Sequence, residues 1–136
     1  MERPLPFALC IRTALNFSDA EARVRELLAE EGFGVLTVIE VDQVLKAKLG
    51  LDTSPCRILG ACNPPFAHQA LELEPLVSVL MPCNVVVRDR QDYREVAALD
   101  PAFMGQMLPK LEALGLEVGA RMARLLAKLE AEAPAA

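Results

Sequence analysis

One segment, Gly60 to Val87 (GACNPPFAHQALELEPLVSVLMPCNVVV), constrains the fold of this chain more than any other. It contains four of the ten prolines, two of the four cysteines, two of the three asparagines and the only histidine. A proline lacks the backbone N–H group and fixes φ, so it disrupts the interior of a helix or a sheet. The prolines therefore divide this segment into short elements whose ends carry the rare polar residues.

The order of elements in this segment follows from its prolines. Asn63 is a favourable N-cap and two prolines follow it, so we expect a helix over Pro64 to Leu73. The next apolar run predicts a strand over Leu76 to Met81. Pro82 would remove one hydrogen-bond donor from that strand, which places it at an edge or a bulge. Val85 to Val87 would then resume the strand.

The rest of the chain alternates β-branched runs with amphipathic repeats, which are typical of strands and helices respectively. Ser18 and Glu21 have the spacing of a capping box at the start of a first helix, and Gly32 fits its C-terminal cap. Asp42 and Lys46 are spaced to form an ion pair on a second helix. The other predicted elements are strands over Leu5 to Ala14, Gly34 to Glu40, Cys56 to Ala61 and Tyr93 to Leu99, and helices over Val41 to Leu49, after Asp100, and over Leu111 to Ala131.

This order of elements predicts an α+β fold, a two-layer sandwich with a mostly antiparallel sheet and helices on one face. The length of 136 residues suits a single domain over 1–136, with a frayed tail from about 132 to 136. Gly115 and Gly119 on the last helix would permit the close approach of another backbone. Edge strands of a small sheet need cover, which predicts a homodimer.

Composition and charge exclude several functional classes. Hydrophobic residues make up 53% of the chain and charged residues 24%, enough for a buried core. A net charge of −5 and 4% aromatic residues argue against a nucleic-acid partner. No apolar run reaches the length of a membrane span and the N-terminus is not a secretory signal, so we expect no membrane partner. We therefore expect a cytoplasmic protein with reduced thiols.

Three residues of the segment, Cys62, His68 and Cys83, are side chains of the kind that bind zinc or copper. Their spacing matches no known type of site and a fourth ligand is missing, so we expect no metal. The sequence has neither GxGxxG nor GxxxxGK[ST], and we expect no cofactor. The helix start at Asn63 would attract an anion, but the two prolines after it remove N–H groups that would bind one.

Thiol catalysis is one alternative function for this segment. Cys83 would be the nucleophile and His68 its base, with Lys46 or Lys48 lowering the pKa of the thiol. The alternative is a purely structural role, in which Cys83 is a small buried hydrophobic residue.

A ligand pocket is the leading hypothesis. If the two Cys-Asn segments meet in space, Asn63, Cys83 and Asn84 form a small polar spot among apolar side chains, which is typical of a ligand-binding pocket. The chain would then be a small-ligand-binding or regulatory homodimeric domain. A third possibility is a structural or interaction protein that buries Gly60 to Val87 at a dimer interface.

The motifs GACNPPFAHQAL and LMPCNVVV, with GFGVLTVIEVDQVLKAKLG upstream and Leu99-Asp100-Pro101 downstream, resemble a bacterial and archaeal family catalogued as domain of unknown function 302. The resemblance covers about Phe7 to Pro101. It implies a compact, dimerising α+β domain whose topology is similar to TATA-binding-protein-like folds, and it implies no activity. The positions that match the family motifs are Asn63, Pro64, Pro65, Ala67, Leu71, Pro82, Cys83, Asn84, Asp100 and Pro101.

Overall fold

The computed structural model describes all residues, 1–136, and contains six strands and five α-helices. The strands are β1 (Glu2–Leu5), β2 (Ala8–Thr13), β3 (Gly34–Glu40), β4 (Cys56–Cys62), β5 (Cys83–Asp89) and β6 (Arg94–Leu99). The helices are α1 (Phe17–Glu30), α2 (Val41–Leu49), α3 (Pro64–Leu73), α4 (Ala102–Met107) and α5 (Glu112–Glu132). Short 3₁₀ helices span Pro75–Leu80 and Pro109–Leu111.

The six strands form one sheet in the order β1-β2-β6-β5-β4-β3, and every neighbouring pair is antiparallel. β1 and β3 are therefore its edges. The prediction of an α+β fold with an antiparallel sheet is confirmed. The strand predicted over Leu5 to Ala14 corresponds to β2 and misses β1, which pairs with it as a hairpin.

The core lies between one face of the sheet and the helices α1 and α5. Alternate strand residues face these helices, as the two-residue period of a strand requires. The buried strand residues on this face include Leu9, Ile11, Leu59, Val85, Val87 and Val96, and the helices contribute Val24, Leu27, Leu28, Met122, Leu125 and Leu126. The two-layer arrangement therefore follows from one apolar sheet face covered by two amphipathic helices.

The strand predicted over Leu76 to Met81 is wrong, because residues Pro75–Leu80 form a 3₁₀ helix. The run connects α3 to β5, and β5 itself takes the place beside β4, so the run lies outside the sheet. Val77 is buried against Ala70 and Leu111 instead.

The prediction that Pro82 places its strand at an edge or a bulge is also wrong. β5 begins at Cys83 and lies inside the sheet, between β4 and β6. Because Pro82 precedes the strand, its missing N–H group removes no hydrogen bond from the ladder.

The cap of α1 differs from the predicted capping box. The side chain of Asn16, rather than Ser18, accepts a hydrogen bond from the backbone of Asp19 at 2.8 Å. Glu21 does not reach back to the cap but forms ion pairs with Arg25 and Arg57.

The predicted pair between Asp42 and Lys46 is not formed. Lys46 binds Asp52 at 2.6 Å, and Asp42 accepts a hydrogen bond from the backbone N–H of Cys56 at 3.1 Å. Asp42 therefore ties α2 to the start of β4.

The close approach predicted at Gly115 and Gly119 occurs within the chain. A Cβ atom at Gly115 would lie 2.6 Å from the carbonyl oxygen of Pro101, and one at Gly119 would lie 2.9 Å from Oδ1 of Asp100. These glycines let the start of α4 pack directly on α5. The tail lies against β2, where the carbonyl oxygen of Ala133 accepts from Ala14 N and Thr13 Oγ1. None of the helices combines the length and hydrophobicity that crossing a membrane requires.

Candidate functional site

An apolar cavity of about 310 Å³ opens at the end of the sheet where β4 leads into α3 and β5 begins. Fourteen of the seventeen residues that line it are hydrophobic. The lining residues are Phe33, Leu36, Ala61, Cys62, Asn63, Phe66, Ala67, Ala70, Leu71, Met81, Pro82, Cys83, Met104, Leu111, Leu114, Gly115 and Val118.

The proline-rich segment builds one side of this cavity because its prolines end one element and start the next. β4 ends at Cys62, α3 begins at Pro64, and β5 begins at Cys83 after Pro82. The opposite wall comes from α5, which contributes Leu114, Gly115 and Val118. The interruptions that the prolines impose thus leave a concave end to the two-layer sandwich.

Asn63 is the only lining residue whose side chain carries a nitrogen or oxygen atom. It is 7% exposed, and its Nδ2 donates to the backbone carbonyl of Glu31 at 3.1 Å. The side chain makes no cap hydrogen bond to α3, and no donor of the chain bonds its Oδ1 atom. Oδ1 is not fully buried, since Nε of Arg57 is the only buried side-chain nitrogen or oxygen without a partner, so this atom is accessible to a ligand that can donate to it.

A polar network behind the cavity fixes the orientation of its walls. Arg124 donates to both carboxylate oxygens of Glu31 at 2.7 Å, and this pair holds the pKa of Glu31 below its usual range. Arg121 donates to the carbonyl of Glu31 at 3.3 Å and stacks over the ring of Phe66, 5.0 Å from its centroid. Glu31, the residue after α1, therefore connects α1 to Asn63 and to α5. Through Arg121 it also fixes the position of Phe66 on α3.

Cys62 and Cys83 both line the cavity. Burial, followed by the neighbouring Cys62, raises the pKa of the Cys83 thiol to about 11. At neutral pH this thiol is protonated, and a protonated thiol is a poor nucleophile. The environment of Cys83 is the opposite of the electropositive setting that thiol catalysis requires.

The structure places His68, Asn84 and the lysines of α2 outside the cavity. His68 is exposed on α3, and Asn84 is exposed in the β5 ladder opposite Gly60. Lys46 and Lys48 belong to α2, which precedes β4, whereas the cavity lies at the far end of that strand. Of the predicted site residues, Asn63, Cys62 and Cys83 come together, and His68 and Asn84 do not join them.

Metal-ligating side chains do not converge in this structure. No group of three or more His, Cys, Asp and Glu residues could hold a metal ion. Cys62 and Cys83 share the cavity, but the third candidate, His68, lies outside it.

Sequence analysis does not identify most of the apolar wall, which includes Phe33, Leu36, Met104, Leu114 and Val118. Their hydrophobic character is that of ordinary core residues, so nothing in it distinguishes a cavity wall from a packed interior. The available signal is the small size of Ala67 and Ala70, which leaves space between α3 and α5.

Comparison with known proteins relates this chain to one protein family and to a solved structure of the same family. The family model described as "Domain of unknown function DUF302" matches residues 9–129. The crystal structure of an uncharacterized conserved DUF302 protein from Bacillus stearothermophilus is similar to this chain at 29% sequence identity and a TM-score of 0.84, covering 90% of this chain and 98% of that one. No curated protein matches.

Proposed function

This chain belongs to the DUF302 family, and we propose that it is a small-ligand-binding domain that acts as a homodimer in the cytoplasm. The observation that carries the proposal is the apolar cavity whose single polar side chain, Asn63, keeps a free amide oxygen. Its volume of about 310 Å³ suits a small molecule and is much larger than a packing defect.

The cavity favours a neutral, largely apolar ligand with one hydrogen-bond donor. No charged side chain is among the lining residues, so a buried ionised group would lack a counter-ion. The donor would bind Oδ1 of Asn63, while the apolar body would contact Phe33, Phe66 and Val118. Cys83 contributes shape and polarizability to the wall rather than a nucleophile.

Thiol catalysis remains less well supported as an alternative, since Cys83 has a raised pKa and His68 lies outside the cavity. The interpretation of Gly60 to Val87 as a purely structural interface also loses support, because part of this segment lines a cavity within one chain.

N-Phenyl-1-naphthylamine tests the proposal, because it is neutral, fluoresces in apolar surroundings and carries one N–H donor. Wild-type protein should give a saturable increase in fluorescence. Ala67→Phe places a ring in the cavity from a helical position and should weaken binding at least about tenfold, a free-energy change that one displaced apolar group can supply.

The matched control is Ala120→Phe, the same exchange at an exposed position of α5 that does not line the cavity. It should bind like the wild type. Equal binding by wild type and Ala67→Phe, with both proteins folded by circular dichroism, would place the probe elsewhere and contradict the proposal.

A further inference from the structure

The two edges of the sheet differ in the protection that they carry. Natural edge strands avoid pairing with other chains through charges, prolines and short length. β1 has four residues and includes Glu2, Arg3 and Pro4. β3 has seven residues, GVLTVIE, with no proline and no charge before Glu40. A bulge between Val35 and Thr37 interrupts β3, but Thr37 to Glu40 is regular. β3 is therefore an edge that is open to pairing.

The side chains on this edge are apolar and exposed. Leu36 is 66% exposed, Val38 44% and Ile39 48%. Helix α2 follows β3 directly and buries none of its residues, with Val44 and Leu49 exposed. A nine-residue helix is marginal in water without packing on one face, so α2 has an apolar side with little to cover it in a single chain.

We propose that β3 pairs antiparallel with β3 of a second copy of this chain, and that α2 packs beside this junction. This interface specifies the homodimer that the proposed function contains. A two-fold axis at Val38 places Val38 opposite the partner's Val38 and Thr37 opposite the partner's Ile39. These are β-branched pairs, which stabilise antiparallel strands when they lie directly opposite each other.

Charge also favours a second copy at this surface. Residues 34–52 carry three acids, Glu40, Asp42 and Asp52, and two bases, Lys46 and Lys48, so their net charge is −1 in a chain of net charge −5. The two-fold at Val38 sets Glu40 opposite the partner's Leu36 rather than opposite its own copy. Two copies of this segment can therefore meet with less repulsion than the net charge of the whole chain would produce.

A second exposed apolar surface is less suited to self-association. The 71–80 surface consists of Leu71, Leu73, Leu76, Val79 and Leu80. Residues 71–80 also include Glu72 and Glu74 and no basic residue; Lys110 lies 4.0 Å from Glu74, and Glu72 has no ion pair, so two copies would bring unpaired carboxylates together. This surface is the natural comparison for any test of the β3 interface.

The interface reaches the cavity through Leu36. This residue lines the cavity and belongs to the edge strand, so the partner's β3 would cover the wall that Leu36 leaves exposed. The cavity of each chain is then completed by the other chain.

Light scattering coupled to size-exclusion chromatography, over a dilution series, tests the interface. The wild type should be a dimer. Val38→Lys places two ammonium groups face to face at the axis and should weaken dimerisation at least about tenfold. Ile39→Lys, on the other face of the same strand, should act in the same direction. Leu76→Lys should leave the dimer intact.

A monomeric wild type, a dimer that both β3 variants leave unchanged, or a dimer broken by Leu76→Lys alone would each overturn the proposed interface. Circular dichroism of each variant separates dissociation from unfolding. N-Phenyl-1-naphthylamine binding distinguishes this outcome from failure of the ligand proposal. If the wild type binds the probe but the β3 variants stay dimeric, only the interface proposal fails. If the β3 variants dissociate but the wild type does not bind the probe, only the ligand proposal fails.

Discussion

Asn63 links the fold to the cavity through the two ends of one amide group. Its Nδ2 donates to the carbonyl of Glu31 at 3.1 Å and so joins the start of α3 to the end of α1. Its Oδ1 has no donor within the chain. The prolines at positions 64 and 65 reduce the need for a side-chain cap, because they have no N–H groups to satisfy. The amide is therefore free to serve the cavity rather than the helix.

The reactivity of Cys83 should follow its raised pKa. Because burial disfavours the thiolate and raises the pKa to about 11, alkylation by iodoacetamide should be slow at pH 7. The rate should then increase about tenfold for each pH unit up to pH 10, since it follows the thiolate fraction. Tandem mass spectrometry can follow the labelling of Cys83 separately from that of Cys62.

Urea-unfolded protein is the control for this experiment, because its thiols have ordinary pKa values. Fast labelling of folded Cys83 that levels off below pH 8 would show an activated thiol. That result would restore thiol catalysis as the better account of the site.

At the scale of the elements, an ion-pair cluster joins α1 to the sheet. Glu21 on α1 accepts from Arg25 and from Arg57 of β4, and Arg57 also lies over the ring of Phe17, 5.3 Å from its centroid. Burial alone would raise the pKa of Glu21, but the hydrogen bonds from the two arginines outweigh it, and the pKa is lowered. Glu21 thus stabilises the fold in its ionised form.

Glu21→Gln should lower the free energy of unfolding at pH 7 by about 1.5–3 kcal/mol, the range for a lost hydrogen bond to a charged group. Because the pKa of Glu21 is lower in the folded state, its contribution is present above the unfolded value near 4.5 and is lost as the pH falls. The difference between wild type and variant should therefore shrink between pH 5 and pH 3 in urea titrations.

Glu26→Gln provides the control on the same helix, since Glu26 is 64% exposed and pairs only with Arg23. Its effect should be below about 1 kcal/mol, as for other surface ion pairs. A Glu21→Gln effect equal to that of Glu26→Gln at every pH would show that the α1–β4 cluster adds no stability.

The elements that sequence analysis predicted well are those whose signals are local. The helix over Pro64 to Leu73 agrees with α3, since an N-cap position followed by two prolines determines where a helix starts. Leu76 to Met81 has the composition of a strand, but β5 takes the place beside β4 and Pro75–Leu80 forms a 3₁₀ helix that packs through Val77 on Ala70 and Leu111. Which strands pair depends on the whole sheet, so the local sequence of this run cannot show whether it joins the sheet.

The candidate site shows the same division between local and distant information. Asn63 and Cys83 could be singled out because they flank prolines, and both line the cavity. Asn84 is the next residue after Cys83, but the alternation of a strand turns its side chain to the other face. The wall formed by Leu114, Gly115 and Val118 could not be predicted, since its position depends on how α5 packs across the sheet.

At the scale of the whole molecule, two sets of elements have separate roles, one at the cavity and one at the β3 edge of the sheet. The proline-rich segment and α5 enclose the apolar space, and β3 with α2 presents the surface that we assign to a second copy. Leu36 belongs to both. This arrangement predicts a dimer whose two cavities are each bordered by the partner's edge strand.

The most direct test of the cavity is a two-dimensional ¹H–¹⁵N NMR titration of the wild-type dimer with N-phenyl-1-naphthylamine. The amide resonances of Ala67, Cys83 and Gly115 should shift and saturate at one probe per chain, while those of Ala47 and Arg90 should not move. Shifts confined to residues 73–80, or shifts that never saturate, would contradict the assignment of this cavity as the ligand-binding site.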